Sequence, residues 1–332
     1  MRVRLRDIAE ATGFSVNTVS HALRDLPDIS EATKRVIREA AEALDYIPDR
    51  RAGSVKSGRC GVISVILPDI VNPHFTLLFR DIELYFQRLG ITSFFMNTGE
   101  DAEDELASVR TSLGQRVDGV ILCPAVGDRE ARRLLARSHT PLLLVGRQGE
   151  GDCTTVVTDD REGGYLATHH LLSLGHRRVA CVQADAAISS GRERCEGYRR
   201  ALREAGIPEA DELYLQLSPR GRENDRAIEA FLTAHPDCHA IFAFSDLLAT
   251  EILAVAHRLG IHVPRDLSVV GFDRIEDACP LPLPLTTVGT EGESLGLAAA
   301  RLLHELMEGH TPPTLTTLPV CLLEGETTAR LP

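Results

Sequence analysis

Polar and apolar residues alternate with helical spacing at the start of the chain. Leu5 and Ile8 lie three positions apart before a break at Gly13, and Ser15 is a favourable N-cap for a second helix over Val16–Leu23. Two short helices joined by a glycine turn are typical of a helix-turn-helix. The pattern therefore predicts a small all-helical head.

A third helix is predicted to follow, with Ser30 as its N-cap and Pro48 beyond its end. Apolar residues at helical spacing mark the face that should pack on the first two helices. We predict that this buried stripe consists of Ala32, Val36, Ile37, Ala40 and Leu44.

After residue 60 the pattern changes to short apolar strands that alternate with amphipathic helices. Predicted strands include the segments GVISVILPD, ITSFFMN, GVILCP, PLLLVG, RRVACVQ, AIFAF and LSVVGF. Strands that alternate with helices predict parallel sheets covered by helices on both faces. There are too many such units for one sheet, so we predict an α/β core of two Rossmann-like lobes.

Composition narrows the class of protein. The 332 residues are 43% hydrophobic, and no uninterrupted apolar run is long enough for a membrane span. The charged N-terminus lacks the apolar run of a signal peptide, which predicts a cytoplasmic protein. The eight cysteines form no CxxC pair, which favours scattered reduced thiols.

Charge is distributed unevenly. The chain carries a formal charge of −12, whereas residues 1–59 contain 11 Lys and Arg against nine Asp and Glu. A mildly cationic head on an acidic body suits a protein that meets DNA through the head alone.

Catalytic and cofactor motifs are missing from the sequence. It contains no GxxxxGK[ST] loop, no HExxH and no GxSxG. His169 and His170 are neighbours, and adjacent residues on a helix point in different directions. We therefore predict no enzyme activity, no cofactor and no metal site.

The head resembles the LacI/GalR family of transcription factors. The resemblance spans LRDIAEATGFSVNTVSHALRDLPDISEATKRVIREAAEALDYIP, and the runs TVS, ISEAT and LDYIP make it specific. It implies a second helix that enters the major groove of double-stranded DNA with its N-terminal residues first. The residues implied to read bases are Val16, Asn17 and His21, and those implied to contact phosphates are Ser15, Thr18, Ser20 and Arg24. The alternative is that these side chains form the solvated face of a small helical domain.

Residues 47–59 join the head, residues 1–46, to the core. Alone, the polar stretch DRRAGSVKSGR is typical of a flexible linker. The resemblance instead implies a hinge helix that folds on DNA, with Ala52 and Val55 in the minor groove. The family usually has leucine at the position of Val55, which predicts a shallower wedge here.

The core, residues 60–332, also resembles the family and, through it, periplasmic sugar-binding proteins. The matching segments include VILPDIVNPHF, RERCEGYRRALREAGI, AIFAFSDLLATEIL and VPRDLSVVGFD. This resemblance implies three crossings between the lobes, near residues 158, 288 and 318. The first lobe would then comprise residues 60–158 and 289–317, and the second lobe residues 159–287 and 318–330.

An effector site is implied in the cleft between the lobes, at the carboxyl ends of the strands. The residues implied to line it are His74, Phe75, Arg194, Ser245 and Asp273. An arginine and an aspartate that face each other suit a polyol or sugar, and they would also suit a purine or another small polar metabolite. The alternatives are an ordinary surface role for Arg194, a turn cap at Asp273 and a core position for Phe75.

Together these features predict a homodimeric transcriptional regulator, with a repressor favoured. Its two heads would read a palindromic operator, and a small polar effector would change its DNA affinity. Whether that effector is an inducer or a corepressor stays open. The alternative functions are a solute-binding protein without a regulatory role and an enzyme that acts in the cleft.

Overall fold

The computed structural model describes residues 3–47, 59–127, 130–149, 152–184, 187–208, 212–217, 222–277 and 283–331. The chain divides into two compact units, Met1–Cys60 and Gly61–Pro332. The predicted hinge residues Ala52 and Val55 lie outside the described residues.

The first unit consists of three helices, α1 (Leu5–Thr12), α2 (Val16–Leu23) and α3 (Glu31–Ala43). α1 ends at Gly13, whose φ of 72° lies in the left-handed region that favours glycine. The Ser15 side chain caps α2 by accepting a hydrogen bond from the Thr18 backbone N–H. The helix-turn-helix predicted from the sequence is confirmed.

The buried face of α3 differs from the predicted stripe. Ala32 is exposed and Val36 is 44% exposed, whereas Ile37 is fully buried. The residues that α3 buries are Lys34, Ile37 and Ala41, with Ala40 and Leu44 partly buried beside them. The prediction was wrong for Ala32 and Val36 because Lys34 occupies the buried face.

Lys34 can occupy that face because its ammonium group is paired. Its Nζ lies 3.0 Å from an Asp25 carboxylate oxygen and 2.8 Å from one of Glu31. The apolar stem of a lysine can pack in an interior while its charged end reaches a partner at the surface.

The second unit contains twelve strands and eight helices within the described ranges. The strands are β1 (Val62–Leu67), β2 (Thr92–Asn97), β3 (Gly119–Leu122), β4 (Leu142–Val145), β5 (Thr155–Thr158), β6 (Val179–Gln183), β7 (Leu213–Gln216), β8 (Ala240–Ala243), β9 (Ser268–Phe272), β10 (Thr286–Thr290), β11 (Leu315–Leu318) and β12 (Val320–Leu323). The helices are α4 (Pro73–Arg88), α5 (Ala102–Gln115), α6 (Glu130–Ser138), α7 (Asp160–Ser173), α8 (Ser189–Glu204), α9 (Arg222–Ala234), α10 (Asp246–Arg258) and α11 (Leu295–Met307).

These strands form two six-stranded sheets. The first has the order β11-β5-β4-β3-β1-β2 and the second the order β12-β10-β9-β8-β6-β7. Their described pairings are parallel except that of β12, which runs antiparallel to β10. In doubly wound sheets of this kind, ligands bind at the carboxyl ends of the strands where the strand order reverses. The predicted fold, a helical head with an α/β core of two lobes, is confirmed.

The chain passes between the two sheets three times, after β5, after β10 and after β11. β10 continues to Thr290 and β11 to Leu318, so the second crossing follows the predicted position by two residues. The crossings are hydrogen-bonded to one another: the Asp159 N–H donates to the Leu318 carbonyl and the Glu291 N–H to the Pro319 carbonyl, both at 2.9 Å. The three connections therefore lie side by side.

Each sheet has helices packed on its faces. The first lobe buries α4 and α11 against one face of its sheet, with Phe86 and Leu303 fully buried between them. In the second lobe α10 packs on one face and α7 and α8 on the other. None of the described helices combines the length and apolar character needed to cross a lipid bilayer.

Candidate functional site

The exposed end of α2 carries the residues predicted to read bases. Val16 is 45% exposed and Asn17 is exposed, and both lie in the first turn of the helix. Val19 and Ala22, on the opposite face, are fully buried. The packing of α2 therefore presents an apolar and an amide side chain to solvent, which can contact a thymine methyl and an adenine edge.

His21 has a hydrogen-bond partner that was not predicted from the sequence. Its Nδ1 lies 2.6 Å from a carboxylate oxygen of Asp28, in the segment between α2 and α3. This contact lowers the pKa of Asp28, mainly through the hydrogen bond with His21. The imidazole is therefore oriented by a neighbouring carboxylate, and its Nε2 is the nitrogen left to meet another group.

The four residues predicted to contact phosphates hydrogen-bond within α2. The hydroxyls of Ser15 and Thr18 lie 2.8 Å apart at the helix N-terminus. Arg24 donates from Nη2 to the Ser20 hydroxyl at 2.8 Å and from Nε to the Ser20 carbonyl at 3.1 Å. All four side chains are exposed or half-buried, so their hydroxyl and guanidinium groups lie at the surface.

A cavity of about 260 Å³ lies between the two lobes of the second unit. The first lobe contributes residues from α4, the residue after β4, the last residue of β5 and the start of α11. The second lobe contributes residues from α8, the end of β9 and the end of β10. Three predicted effector residues, His74, Arg194 and Asp273, line this cavity together.

Arg194 is the centre of the polar cluster in the cleft. It is 5% exposed, and its Nε donates to the Asp160 carboxylate at 2.7 Å. Nη1 donates to the Phe244 carbonyl, and Nη2 lies 3.4 Å from an Asp273 carboxylate oxygen. The guanidinium carbon also lies 3.5 Å from the centroid of the Phe272 ring. These contacts hold Arg194 in one orientation.

Close packing of α7 against α8 places Arg194 beside Asp160. A Cβ on Gly164 would lie 2.1 Å from the Arg194 carbonyl oxygen, and one on Gly197 would lie 2.0 Å from the Arg161 carbonyl oxygen. Only glycine at both positions lets the two helix backbones approach this closely. The glycines in the run EGGY of α7 and the run CEGY of α8 therefore allow the helix contact that positions Arg194 next to Asp160.

Burial and ion pairing have opposite effects on the pKa of Asp160. The side chain is 3% exposed, and burial raises its pKa while the Arg194 guanidinium opposes that shift. A buried carboxylate without this partner would carry an uncompensated charge. The two residues therefore act as one unit.

Asp273 lies in a turn that another buried carboxylate holds in place. The φ values of Asp273 and Arg274 are 111° and 56°, both in the left-handed region. Asp246 accepts hydrogen bonds from the Ile275 backbone N–H at 2.9 Å and from the Thr287 hydroxyl at 2.6 Å. Burial raises the pKa of Asp246 to about 8. Residues in such conformations persist where their surroundings constrain them, as at ligand sites.

His74 approaches the same cluster from the first lobe. Its Nδ1 lies 3.7 Å from a carboxylate oxygen of Asp273, and the side chain is 22% exposed. It follows Pro73 at the start of α4, where the Asn72 side chain caps the helix. The cleft therefore brings a titratable ring from one lobe to a carboxylate of the other.

Phe75 and Ser245 are placed elsewhere than predicted. Phe75 belongs to the apolar core of the first lobe, and neither residue lines the cavity. Ser245 is 4% exposed and caps α10 by accepting a hydrogen bond from the Leu248 N–H. The Ser245 hydroxyl caps the helix because Ser245 comes directly before the first turn of α10.

Several residues of the cleft were not predicted from the sequence. Asp160 follows a four-residue threonine-rich strand that was not predicted, and Phe272 was interpreted only as the end of a strand. Other residues of the cavity wall include Arg80, Asp81, Thr158, Arg274, Thr290 and Ser294. Ligands bind at the carboxyl ends of strands in open α/β sheets, so Asp160 and Thr158 could have been predicted if β5 had been recognised as a strand.

Comparison with known proteins identifies the family. Residues 4–49 match the family described as bacterial regulatory proteins, lacI family. Residues 60–323 match the family described as periplasmic binding proteins and sugar binding domain of LacI family. The chain belongs to the LacI family, and it is a DNA-binding transcriptional regulator with an effector-binding core.

Individual relatives cover most of the chain. The HTH-type transcriptional repressor PurR of Aliivibrio fischeri is 30% identical over 91% of this chain and 90% of its own. A LacI family regulator from Enterococcus faecium, solved with bound ribose, is 29% identical with a TM-score of 0.73 over 82% of this chain and all of its own. The lac repressor dimer bound to operator, at 24% identity, shares the fold with a TM-score of 0.87 over 99% of this chain and all of its own.

Proposed function

We propose that this regulator is a homodimeric repressor whose operator affinity is switched by a small hydroxylated effector bound between the two lobes. The observation that carries the proposal is the cavity in which His74 of one lobe meets Arg194 and Asp273 of the other. A ligand that contacts both lobes favours one angle between them. Ligand binding and DNA binding are coupled if that angle differs between the DNA-bound and free forms.

The head supplies the DNA contacts in this proposal. Val16, Asn17 and His21 read base edges, while Ser15, Thr18, Ser20 and Arg24 set the register on the phosphates. The exposure of Val16 and Asn17 supports the first role. Ala52 and Val55 wedge into the minor groove, which stays a prediction from the sequence.

Pairing of two chains is proposed through the first lobe. In the first lobe, Leu84 of α4 is 41% exposed, Leu89 is 46% exposed and Phe94 of β2 is 43% exposed. A contiguous patch of exposed apolar side chains marks a protein contact surface, and we propose that these three residues belong to one. A twofold dimer presents its heads to the two halves of a palindromic operator.

A sugar or related polyol is the proposed effector class. The carboxylate of Asp273 and the hydroxyls of Thr158, Thr290 and Ser294 line the cavity, and such groups hydrogen-bond to hydroxyls. The similar Enterococcus faecium regulator was solved with ribose, and the relative from Aliivibrio fischeri is named a repressor. We propose a cytoplasmic protein with no enzymatic activity, divided into a head at 1–46, a hinge at 47–59 and a core from residue 60.

The proposal is tested by capturing fragments of the source genome on the purified protein at moderate salt and sequencing them. We expect a shared near-palindrome. The genes beside it then supply candidate effectors, which should change the affinity for that sequence. Recovery of no specific sequence, with or without a metabolite extract, would favour a solute-binding protein without a regulatory role.

A pair of variants tests the cleft separately from the head. Asp273→Asn keeps a residue that tolerates positive φ and removes the carboxylate, so operator binding should persist while the effector response is lost. Asp237→Asn, at an exposed ion pair with Arg178 in the same lobe, is the control and should respond as the wild type. An unchanged response in Asp273→Asn would place the effector elsewhere.

A further inference from the structure

Arg274, in the wall of the cleft, has a guanidinium group without a charged partner among the described residues. It lines the cavity and is exposed, and it forms no hydrogen bond or ion pair with any residue that the structure describes. The other charged groups of the wall are engaged. Arg194 pairs with Asp160 and Asp273, and Arg80 lies 3.0 Å from Asp81.

The position of Arg274 is built into the fold. A Cβ on Gly289 would lie 2.9 Å from Cβ and 3.2 Å from Cδ of Arg274, so the arginine stem lies directly over the β10 backbone. Any side chain at residue 289 would displace it. The Asp246 carboxylate anchors the same turn through the Ile275 N–H. The left-handed conformation of Asp273 and Arg274 is therefore held from two sides.

The acidic groups of the wall are already satisfied. The Asp81 carboxylate accepts a hydrogen bond from the Ser294 hydroxyl at 2.6 Å and pairs with Arg80. Asp273 faces Arg194 and His74. A ligand therefore meets one guanidinium whose donors are unused, among carboxylates that are neutralised by their neighbours. Guanidinium groups bind carboxylates and phosphates through two parallel hydrogen bonds.

We propose that the effector of this regulator is an anionic sugar derivative, a sugar acid or a sugar phosphate, whose acidic group is bound by Arg274. The inference rests on the proposed effector role of the cleft. The cavity volume of about 260 Å³ lies just below the range of about 300–1,000 Å³ that is typical of ligand pockets, which suits one sugar ring. Hydroxyls of the ring would meet Asp273 and Ser294 while the anionic group meets Arg274.

The test compares matched compounds on the full-length protein. Titration calorimetry measures binding of glucose, gluconate and glucose 6-phosphate, and of ribose, ribonate and ribose 5-phosphate. We expect at least one acid or phosphate to bind about ten times more tightly than its neutral sugar, because hydrogen bonds to charged groups are stronger. The carboxylate and phosphate arms distinguish the two classes.

Variants of Arg274 test whether its side chain causes the preference for anionic ligands. Arg274→Asn keeps a residue that tolerates positive φ, and it should weaken binding of the anionic compound about 10- to 100-fold while leaving the neutral sugar unchanged. Arg274→Lys should restore part of the affinity. Arg116→Asn is the control, because Arg116 is also exposed with a φ of 55° and lies at the opposite end of the first sheet.

Three results would overturn the inference. A neutral sugar that binds as tightly as its acid and phosphate would do so, as would an Arg274→Asn variant that binds the anion normally. A panel in which no compound binds would also reject it. Two further measurements separate these results from failure of the proposed function. If the protein binds operator, the regulator function stands whatever the sugar panel shows. If a neutral sugar binds and Asp273→Asn abolishes that binding, the effector cleft also stands and only the anion preference is rejected.

Discussion

Because α7 and α8 are in close contact at Gly164, we predict that Gly164→Ala destabilises the protein and distorts the effector site. The new Cβ would start 2.1 Å from the Arg194 carbonyl oxygen and 2.9 Å from the Arg194 Cα. An ordinary carbon–oxygen contact needs about 3.3 Å, so the two backbones must separate by roughly 1 Å at this point. Neither atom belongs to a flexible side chain that could turn away.

Two opposing effects set the size of the stability change. Alanine is favoured over glycine inside a helix by about 1 kcal/mol. Overpacking a filled interior costs about 1–3 kcal/mol. Because Gly197 makes a second close backbone contact between the same helices, they cannot easily move apart, and we expect a cost near the upper end of this range. We expect a net loss of about 2 kcal/mol and a melting temperature lower by roughly 5 °C.

The functional effect should exceed the stability effect. A shift of roughly 1 Å at Arg194 is larger than the tolerance of about 0.5 Å that binding sites require. Operator binding should persist at 25 °C while effector affinity falls. Thermal unfolding followed by circular dichroism and titration calorimetry measure the two quantities on the same protein.

Gly114→Ala is the matched control, because Gly114 also lies inside a helix and a Cβ there would meet nothing within 4 Å. That variant should be more stable than the wild type by about 0.5–1 kcal/mol. If Gly164→Ala is stabilised as much as Gly114→Ala, the close approach of α7 and α8 does not exist in solution and the reasoning is refuted.

Three further predictions concern the head, the hinge and the core. Asp28→Asn keeps an amide oxygen that can accept a hydrogen bond from His21 and removes a negative charge beside α2, so operator titration should show affinity higher by several-fold, most at low salt; weaker binding would contradict this. Val55→Leu adds one methylene to each of two predicted wedges and should tighten operator binding about tenfold, at about 0.8 kcal/mol per methylene; equal or weaker binding would count against the hinge prediction. Because burial raises the pKa of Asp246 from 3.8 to about 8, the folded chain keeps a proton that the unfolded chain loses within that window. The free energy of unfolding of the wild type relative to Asp246→Asn should therefore fall as pH rises from 5 to 8 and then level off, and urea unfolding that shows a constant difference would exclude a raised pKa.

Long apolar runs and capping residues were sufficient to predict most of the fold. Ser15, Gly13 and Ser30 mark the ends of the head helices through local hydrogen bonds, which depend on neighbouring residues alone. Strands such as β1 and β9 are continuous apolar runs. By contrast β5 and β11 are short and rich in threonine, and β11 is a strand only because it pairs with β5 about 160 residues earlier in the chain.

Part of the site was predictable from the resemblance of the core segments to the family. Arg194 and Asp273 follow from the family resemblance and lie in the cavity wall. Phe75 was misplaced because its side chain turns into the core of the first lobe, and this direction depends on packing partners. The bond between His21 and Asp28 joins residues on separate elements, so no local pattern indicates it.

The pairing of β11 with β5 has a consequence for synthesis of the chain. Five of the six strands in the first sheet lie before residue 159, but the sixth, β11, ends at Leu318. The second sheet likewise lacks β12 until residue 323 has been made. A ribosome adding about 5–20 residues per second therefore leaves the edge of β5 open for roughly 10–30 s after that strand emerges. During this interval a nascent chain exposes a strand edge in a lobe that also lacks the core helix α11, and this edge is where we expect chaperone binding or mispairing between nascent chains.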